Sequence, residues 1–535
     1  MKLHLPLSLL AAVVAVFAAQ PACAYDIPDQ YANAGIEIFA PQDLDDYRSL
    51  NSSESYMFQF YASATFNAQT NQNWYPGNSL MYNGYCLFTT ADGATPVSLS
   101  FDGTDRYKDN YLQNPVFSTH SLLFANLNKL QIENAGEVNN SDDDDQWNYY
   151  SSYDNAISTG DFSVTEVNDV VFKNNASSYT YNVAPDNWEY NTPDTSISCY
   201  ADGGAVGAET VSLCQNGDIT FEGNKLHFDN SRDTENVYTR CDVELRGGAI
   251  STYTHSSNGV ILISDNSGKV SFTGNSVELI QGATCELSYL GAYGGAVHTY
   301  GTLKLNNNAG GVAFTGNKAS ASAQSVENLN VQGGAVYAEN GISINGNADV
   351  TFSGNKASAS AQSVESLNVQ GGAVYTQNNL SICNNASVNF ADNAIEASMS
   401  GHYESRLYTK GGAIYSNPYN SLVDISNNGD VSFTGNSIRV NVVNYSSFEC
   451  EGAAIYAGGD LRINNNASVE FSDNYAEIDY GDGYYSTEGS AIYAGGTLEI
   501  AGNESVEFRN NGSYAIRQGY GTMKLSAKTG GHITF

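Results

Sequence analysis

The amino-acid sequence predicts an all-β chain wound as a right-handed parallel β-helix, and three observations carry that prediction. Gly-Gly-Ala followed by Ile or Val alternates with Phe-x-x-Asn through the last two-thirds of the 535 residues. Short runs between these markers alternate apolar with polar residues, and clusters of Asn, Gly and Asp separate the runs. Residues 316–337 recur at 354–375 with one change, Asn328 against Ser366. Repeats of this size mark solenoids or propellers, whose units bury their apolar faces only against neighbours. A chain that gains a whole unit without harm is modular along one axis, as a β-helix is and a closed propeller is not.

At the N-terminus, Lys2 precedes an apolar run from Leu5 to Phe17, and Ala22-Cys23-Ala24 has the Ala-x-Ala form of a cleavage site. The expectation is a signal peptide over residues 1–24, cleaved after Ala24. Lipidation at Cys23 is the weaker reading, because Gln20-Pro21-Ala22 is a poor approach to a lipidated cysteine. No later stretch reaches the roughly 18 apolar residues of a membrane helix. The chain therefore reads as exported without a helical anchor.

Removing the signal leaves 21 basic and 57 acidic residues, a net charge of −36. That excludes nucleic-acid binding, which needs clustered Lys and Arg against phosphates. An acidic surface suits an exported, edge-rich β rod that must stay apart from its own copies. Seven cysteines remain after Cys23, with no metal-type spacing. Cys199 with Cys214, and Cys241 with Cys285, could close loops in an oxidising compartment, and the odd total leaves at least one thiol over. Cys383 follows an inward Ile and reads as buried and inert.

Residues 25–165 lack the markers but keep the texture, with runs such as Ser121-Leu122-Leu123-Phe124 and Leu130-Gln131-Ile132. They read as irregular early coils plus a cap, with Trp74, Trp147 and Trp188 as filler over the open end of the core. Asp142 to Asp145 reads as a solvated loop, because the spaced glycine and ligand pattern of a calcium loop is missing.

Residues 166–535 form the repeat array. Its glycine pairs are Gly203-Gly204, Gly247-Gly248, Gly294-Gly295, Gly333-Gly334, Gly371-Gly372 and Gly411-Gly412, with degenerate copies beginning at Gly452 and Gly489. The second marker falls at Phe221/Asn224, Phe272/Asn275, Phe314/Asn317, Phe352/Asn355, Phe390/Asn393, Phe433/Asn436 and Phe471/Asn474, continuing to Phe508/Asn511. In Gly371 to Asn393, Ala373-Val374-Tyr375, Leu380-Ser381-Ile382 and Val388-Asn389-Phe390 read as short half-buried strands. Near-equal spacing between the two markers suggests two coils per repeat of 38–44 residues. Phe would then stack in every second coil, Asn would hold a corner through backbone hydrogen bonds, and the glycines would turn where a Cβ clashes. About sixteen coils at 4.8 Å give a rod of roughly 75–80 Å.

Segments between Phe-x-x-Asn and the next glycine pair vary most in length and carry aromatic tips, as in Tyr475 to Tyr485 and Tyr445 to Phe448. They read as binding loops or as ordinary turns. Many β-helices cleave acidic polysaccharides, a task that needs carboxylates gathered on one face. Here outward positions hold chiefly Asn, Ser and Thr, and the histidines are scattered. His298 stands where other copies carry Tyr and reads as a tolerated coil residue. No catalytic, cofactor or metal residue is expected, and a polysaccharide-binding or polysaccharide-cleaving enzyme is the alternative.

The alternation of GGA(I/L/V) with FxxN over residues 169–535 resembles the chlamydial polymorphic outer membrane protein repeat, which also occurs in passenger domains of other exported bacterial proteins. The resemblance implies a surface-displayed or secreted β-helical passenger with adhesion to host cells as its role, its partner a host surface protein or glycan. Its marker residues are structural. Autotransporters of this kind end in a membrane β-barrel, whereas this chain stops at Gly530-Gly531-His532-Ile533-Thr534-Phe535. The ending reads as a strand cut within the array, so the expectation is a fragment of a longer autotransporter, attached to the outer membrane through a missing barrel or another protein.

Overall fold

A computed structural model describes residues 35–47, 55–67, 80–103, 117–135, 138–141, 148–152, 155–181, 196–231, 237–253, 259–400, 405–417, 421–443, 447–480, 485–486 and 490–535. The signal segment with Ala24, the three tryptophans and Asp142 to Asp145 lie outside these residues. Among the described residues the helical element is a 3-10 turn, Pro41–Tyr47, whose Leu44 is buried in the core beside the first coils. No helix among them is long and apolar enough to cross a membrane.

The chain is a parallel β-helix. One coil runs through Val336–Ala338, Gly341–Asn345 and Asp349–Ser353, three short walls around a common core. Each wall pairs in parallel with the wall one repeat later, so Tyr337 meets Tyr375, Ile344 meets Ile382, and Phe352 meets Phe390. The partners are 38 residues apart. A coil is therefore the whole repeat, and the two coils per repeat inferred from marker spacing are corrected to one. The half-period arises because both markers lie on the same coil.

Phe occupies every coil as a consequence. From Phe172 through Phe221, Phe272, Phe314, Phe352, Phe390, Phe433, Phe471, Phe508 and Phe535 the rings stack at 4.6–5.1 Å with interplanar angles of 2–6°. The column continues backwards through Ile132, Phe101 and Phe66, by strand register. Thirteen rungs span about 58 Å, shorter than the expected rod. Phe66, Phe101 and Ile132 are thus rungs of the same column.

After the third wall the coils of the repeat array, the last excepted, leave the main helix. Lys318–Gln332 and Lys356–Gln370 run outward and back, facing Ala319, Ala321 and Ala323 towards Val326, Leu329 and Val331 in a second core separate from the first. Stacked coil on coil, these excursions build a flange. They are the variable segments that sequence spacing read as loops. The final coil omits it, passing from Asn511 to the wall Tyr514–Gln518. Among the described residues one pairing is antiparallel: Tyr485–Ser486 folds back on Tyr475–Asp479 and covers the edge of that outer stack.

Candidate functional site

The predicted marker residues meet at the neck of the flange. The first glycine of each pair has positive φ, 69° at Gly333 and 67° at Gly371, a left-handed bend that glycine adopts freely. The second is packed between backbones. A Cβ on Gly295 would lie 2.1 Å from the carbonyl oxygen of Gly334 and 2.6 Å from the Lys318 nitrogen, which directly follows the marker Asn317. Glycine pair and Phe-x-x-Asn are thus two sides of one neck, where the flange leaves and rejoins the coil.

The marker asparagines are buried and satisfied by one another. Asn317 Oδ1 accepts from the backbone N–H and the Nδ2 of Asn275, both at 3.0 Å, while its own Nδ2 donates to Phe272 O at 2.9 Å and to Asn355 Oδ1 at 3.0 Å. Towards the N-terminal end of the column, Asn224 Nδ2 donates to Phe172 O at 3.1 Å and to Asn275 Oδ1 at 2.8 Å. Towards the other end, Asn436 Nδ2 donates to Phe390 O and Asn474 Oδ1, both at 2.9 Å, and Asn474 Nδ2 to Phe433 O at 2.8 Å and Asn511 Oδ1 at 2.9 Å. The backbone hydrogen bonds expected at these corners are present at Asn224, Asn275, Asn317, Asn355, Asn393, Asn436 and Asn474. Each also bonds the next asparagine side chain, because one coil is a full repeat and equivalent corner residues occupy adjacent rungs.

A second ladder with the same chemistry, missed from the sequence, holds the corner between the second and third walls through Asn216, Asn266, Asn308, Asn347, Asn385, Asn428, Asn466 and Asn503. Its signal was present: a residue able to take positive φ immediately precedes each one, as in Asn384-Asn385 and Asn427-Asn428.

A tyrosine ladder was also missed. Tyr337, Tyr375, Tyr415, Tyr456 and Tyr493 stack at 4.8–5.1 Å in the position after Gly-Gly-Ala-(Val/Ile). Burial raises the phenol pKa of Tyr293, Tyr337, Tyr375, Tyr415 and Tyr456. His298 is a rung of this stack, 4.9 Å from Tyr337. Ser251, the preceding rung, donates to Asp202 Oδ1 at 2.9 Å and lies 3.1 Å from His298 Nδ1. Serine, not histidine, stands in the middle, and both are buried. The trio therefore closes a ladder and lacks the order of a nucleophilic triad.

The cysteine expectations divide. Cys241 is disulfide-bonded; the side chain of its expected partner, Cys285, lies outside the described ones. Cys199 and Cys214 do not bond each other, because Cys199 is in the flange core and Cys214 in a main wall, where its sulfur is 3.4 Å from Ser264 Oγ. Burial pushes the Cys86 thiol up to about 12 and raises that of Cys383 as well, so both stay protonated.

One concave surface stands out, on the outer face of the flange. Strand register aligns His227, Glu278, Ser320, Ser358, Glu396, Arg439 and Glu477 in one outward column. Ser322, Ser360 and Ser398 stand in the next. Long side chains flank short ones, so the duplicated Ala-Ser-Ala-Ser coils sink into an open trough of about 650 Å³. Its ridges, Glu278 and Glu396, are three rungs or about 14 Å apart. Lys225 Nζ lies 2.5 Å from Glu278, and Lys356 pairs with Glu396. Burial works against ionisation of Glu278, but the Lys225 hydrogen bond and charge hold its carboxyl below the usual range. Burial lowers the pKa of His227, 3.3 Å from Glu278, and the Lys225 charge adds to that effect. A floor of hydroxyls between paired charges can hydrogen-bond a polar ligand.

Residues 349–377 match the Chlamydia polymorphic membrane protein (Chlamydia_PMP) repeat. The match covers a third wall with its Phe-x-x-Asn, one flange excursion, the following glycine pair and the next first wall, hence a turn of the architecture described above without its second wall. No curated protein and no solved structure shows significant similarity to the chain. Among the described residues no cluster of His, Cys, Asp or Glu could hold a metal ion.

Proposed function

We propose that this chain is a noncatalytic exported surface protein, a passenger-like β-helix that acts as an adhesin or display stalk, and that the flange trough is its recognition surface. The repeat match supports surface display of the autotransporter kind. The observation that carries the recognition role is the serine-floored trough, a concave face on a stack of coils. Its partner would be a polar segment of a host surface protein or glycan, held by hydroxyls and the rim charges. The engagement of Glu278 and Glu396 by lysines favours binding over acid–base chemistry.

The test is binding of the purified chain to host cells, beside Ser320→Lys/Ser358→Lys, which fills the trough from outward positions. At least a tenfold loss of binding with unchanged circular dichroism is expected, equivalent to about 1.4 kcal/mol. Equal binding by both proteins would refute the trough as the recognition surface. Protease shaving of intact producing cells checks display separately.

A further inference from the structure

We propose that the flange of the two duplicated coils is a locally opening unit, which detaches its two layers while the main helix beneath stays folded. The flange has its own core, separate from that of the main helix. Within that core the outer layer thins where the chain is duplicated. All three inward positions are alanine, at Ala319, Ala321, Ala323 and again at Ala357, Ala359, Ala361. The coil before supplies Val277 and Leu279 in the first two columns; the coil after supplies Ile395 in the first and Ala397 in the second, where Val440 follows one coil later. Each replacement of Val, Leu or Ile by Ala gives up two or three buried carbons, so these coils hold their layers together with the least apolar area.

Pairing to the preceding coil is interrupted at the same place, where register shifts between Gln281 and Tyr289. Between the two duplicated coils it runs almost unbroken from Lys318 to Gln332. The pair is thus one piece, weakly tied at its outer end to the coil before it. On the outside, between the lysines at the neck and the turn, it carries the short serines of the trough. The walls of the same coils keep the full Phe and Asn ladders, and the neck keeps its bonds, Lys356 N–H to Asn317 O and Gly334 N–H to Gly371 O, both 2.9 Å. A weak outer unit on a strong inner one opens below the global transition. Opening would expose alanine faces and strand edges, and would remodel the trough that the same strands floor.

Amide hydrogen exchange of the whole chain, resolved by mass spectrometry, tests this. Peptides within 319–331 and 357–369 are expected to show protection at least about a hundred-fold below Val312–Thr315 and Asp349–Ser353 of the same coils. Equal protection would overturn the proposal without any variant. Ala319→Val/Ala357→Ile, which restores the side chains of neighbouring coils in that column, should raise flange protection about tenfold and leave the walls unchanged. Low protection that this variant fails to raise would overturn the alanine core as the cause, and with it the proposal.

Discussion

Replacing Asn355 by alanine should cost far more than any single hydrogen bond, because the ladder makes each asparagine the partner of two others. Asn355 is fully buried. Its Oδ1 accepts the Asn317 backbone N–H and Asn317 Nδ2, both at 3.0 Å, and its Nδ2 donates to Phe314 O and Asn393 Oδ1, both at 2.9 Å. Truncation leaves two donors of Asn317 buried without an acceptor, at about 1–3 kcal/mol each, and the cavity is too enclosed for easy repair by water. The expected loss is about 4 kcal/mol. Asn368→Ala is the internal control: it removes a 2.8 Å bond to Asn330 on the partly exposed flange and should cost under about 1 kcal/mol. Urea unfolding followed by circular dichroism compares the two, with exchange of the Asn317 amide as a local readout, since a solenoid can lose coils separately. Equal midpoints for the two variants, or an Asn317 amide as protected as in the parent, would refute the ladder argument.

Two further perturbations separate other causes. Gly334→Ala should disrupt the neck, because its Cβ would meet Gly372 O at 2.0 Å and Lys356 C at 2.5 Å, whereas Gly316→Ala, at φ 62° with nothing within 4 Å, should cost only about 1–2 kcal/mol of backbone strain; similar thermal midpoints would count against the close-approach explanation. Alkaline pH should unfold the chain cooperatively, because burial holds the phenol pKa of Tyr293 and of four ladder tyrosines, Tyr337, Tyr375, Tyr415 and Tyr456, above that of the unfolded chain. Their stabilisation is intact below pH 10 and falls as pH rises beyond it, by up to about 7 kcal/mol per unit for five protons held only by the native state. Phenolate absorbance should appear together with loss of β structure, and gradual ionisation of a folded chain would show that the ladder is open to solvent.

Much of this architecture was legible because a solenoid repeats its chemistry. Phe352 and Asn355 mark a wall and a corner, and Gly371-Gly372 a bend, since stacking equivalent residues leaves each position one environment to satisfy. The N-terminal coils were harder to read, for Leu127 and Ala135 stand where later coils put the ladder asparagines, although Asn126 and Asn134 before them keep positive φ. The second asparagine ladder was hidden in the Asn-rich corners, where buried and exposed asparagines sit side by side. Tyr337 belongs to a short run whose pattern does not tell which face is covered, and it is buried by Tyr375 in the stack and by Tyr293 on the return strand of the flange.

By itself, then, the sequence determined the solenoid, its parallel strands and the corners that need Gly or Asn, because these follow from local periodicity and from which backbones each residue tolerates. Only the tertiary structure decided that both markers belong to one coil and meet at a neck, that the long segments between them form a flange with a core of its own, and that two duplicated runs of Ala and Ser lie side by side as a trough. Spacing along a chain measures path length. Where the path turns out and back, only packing between coils tells which residues share a surface.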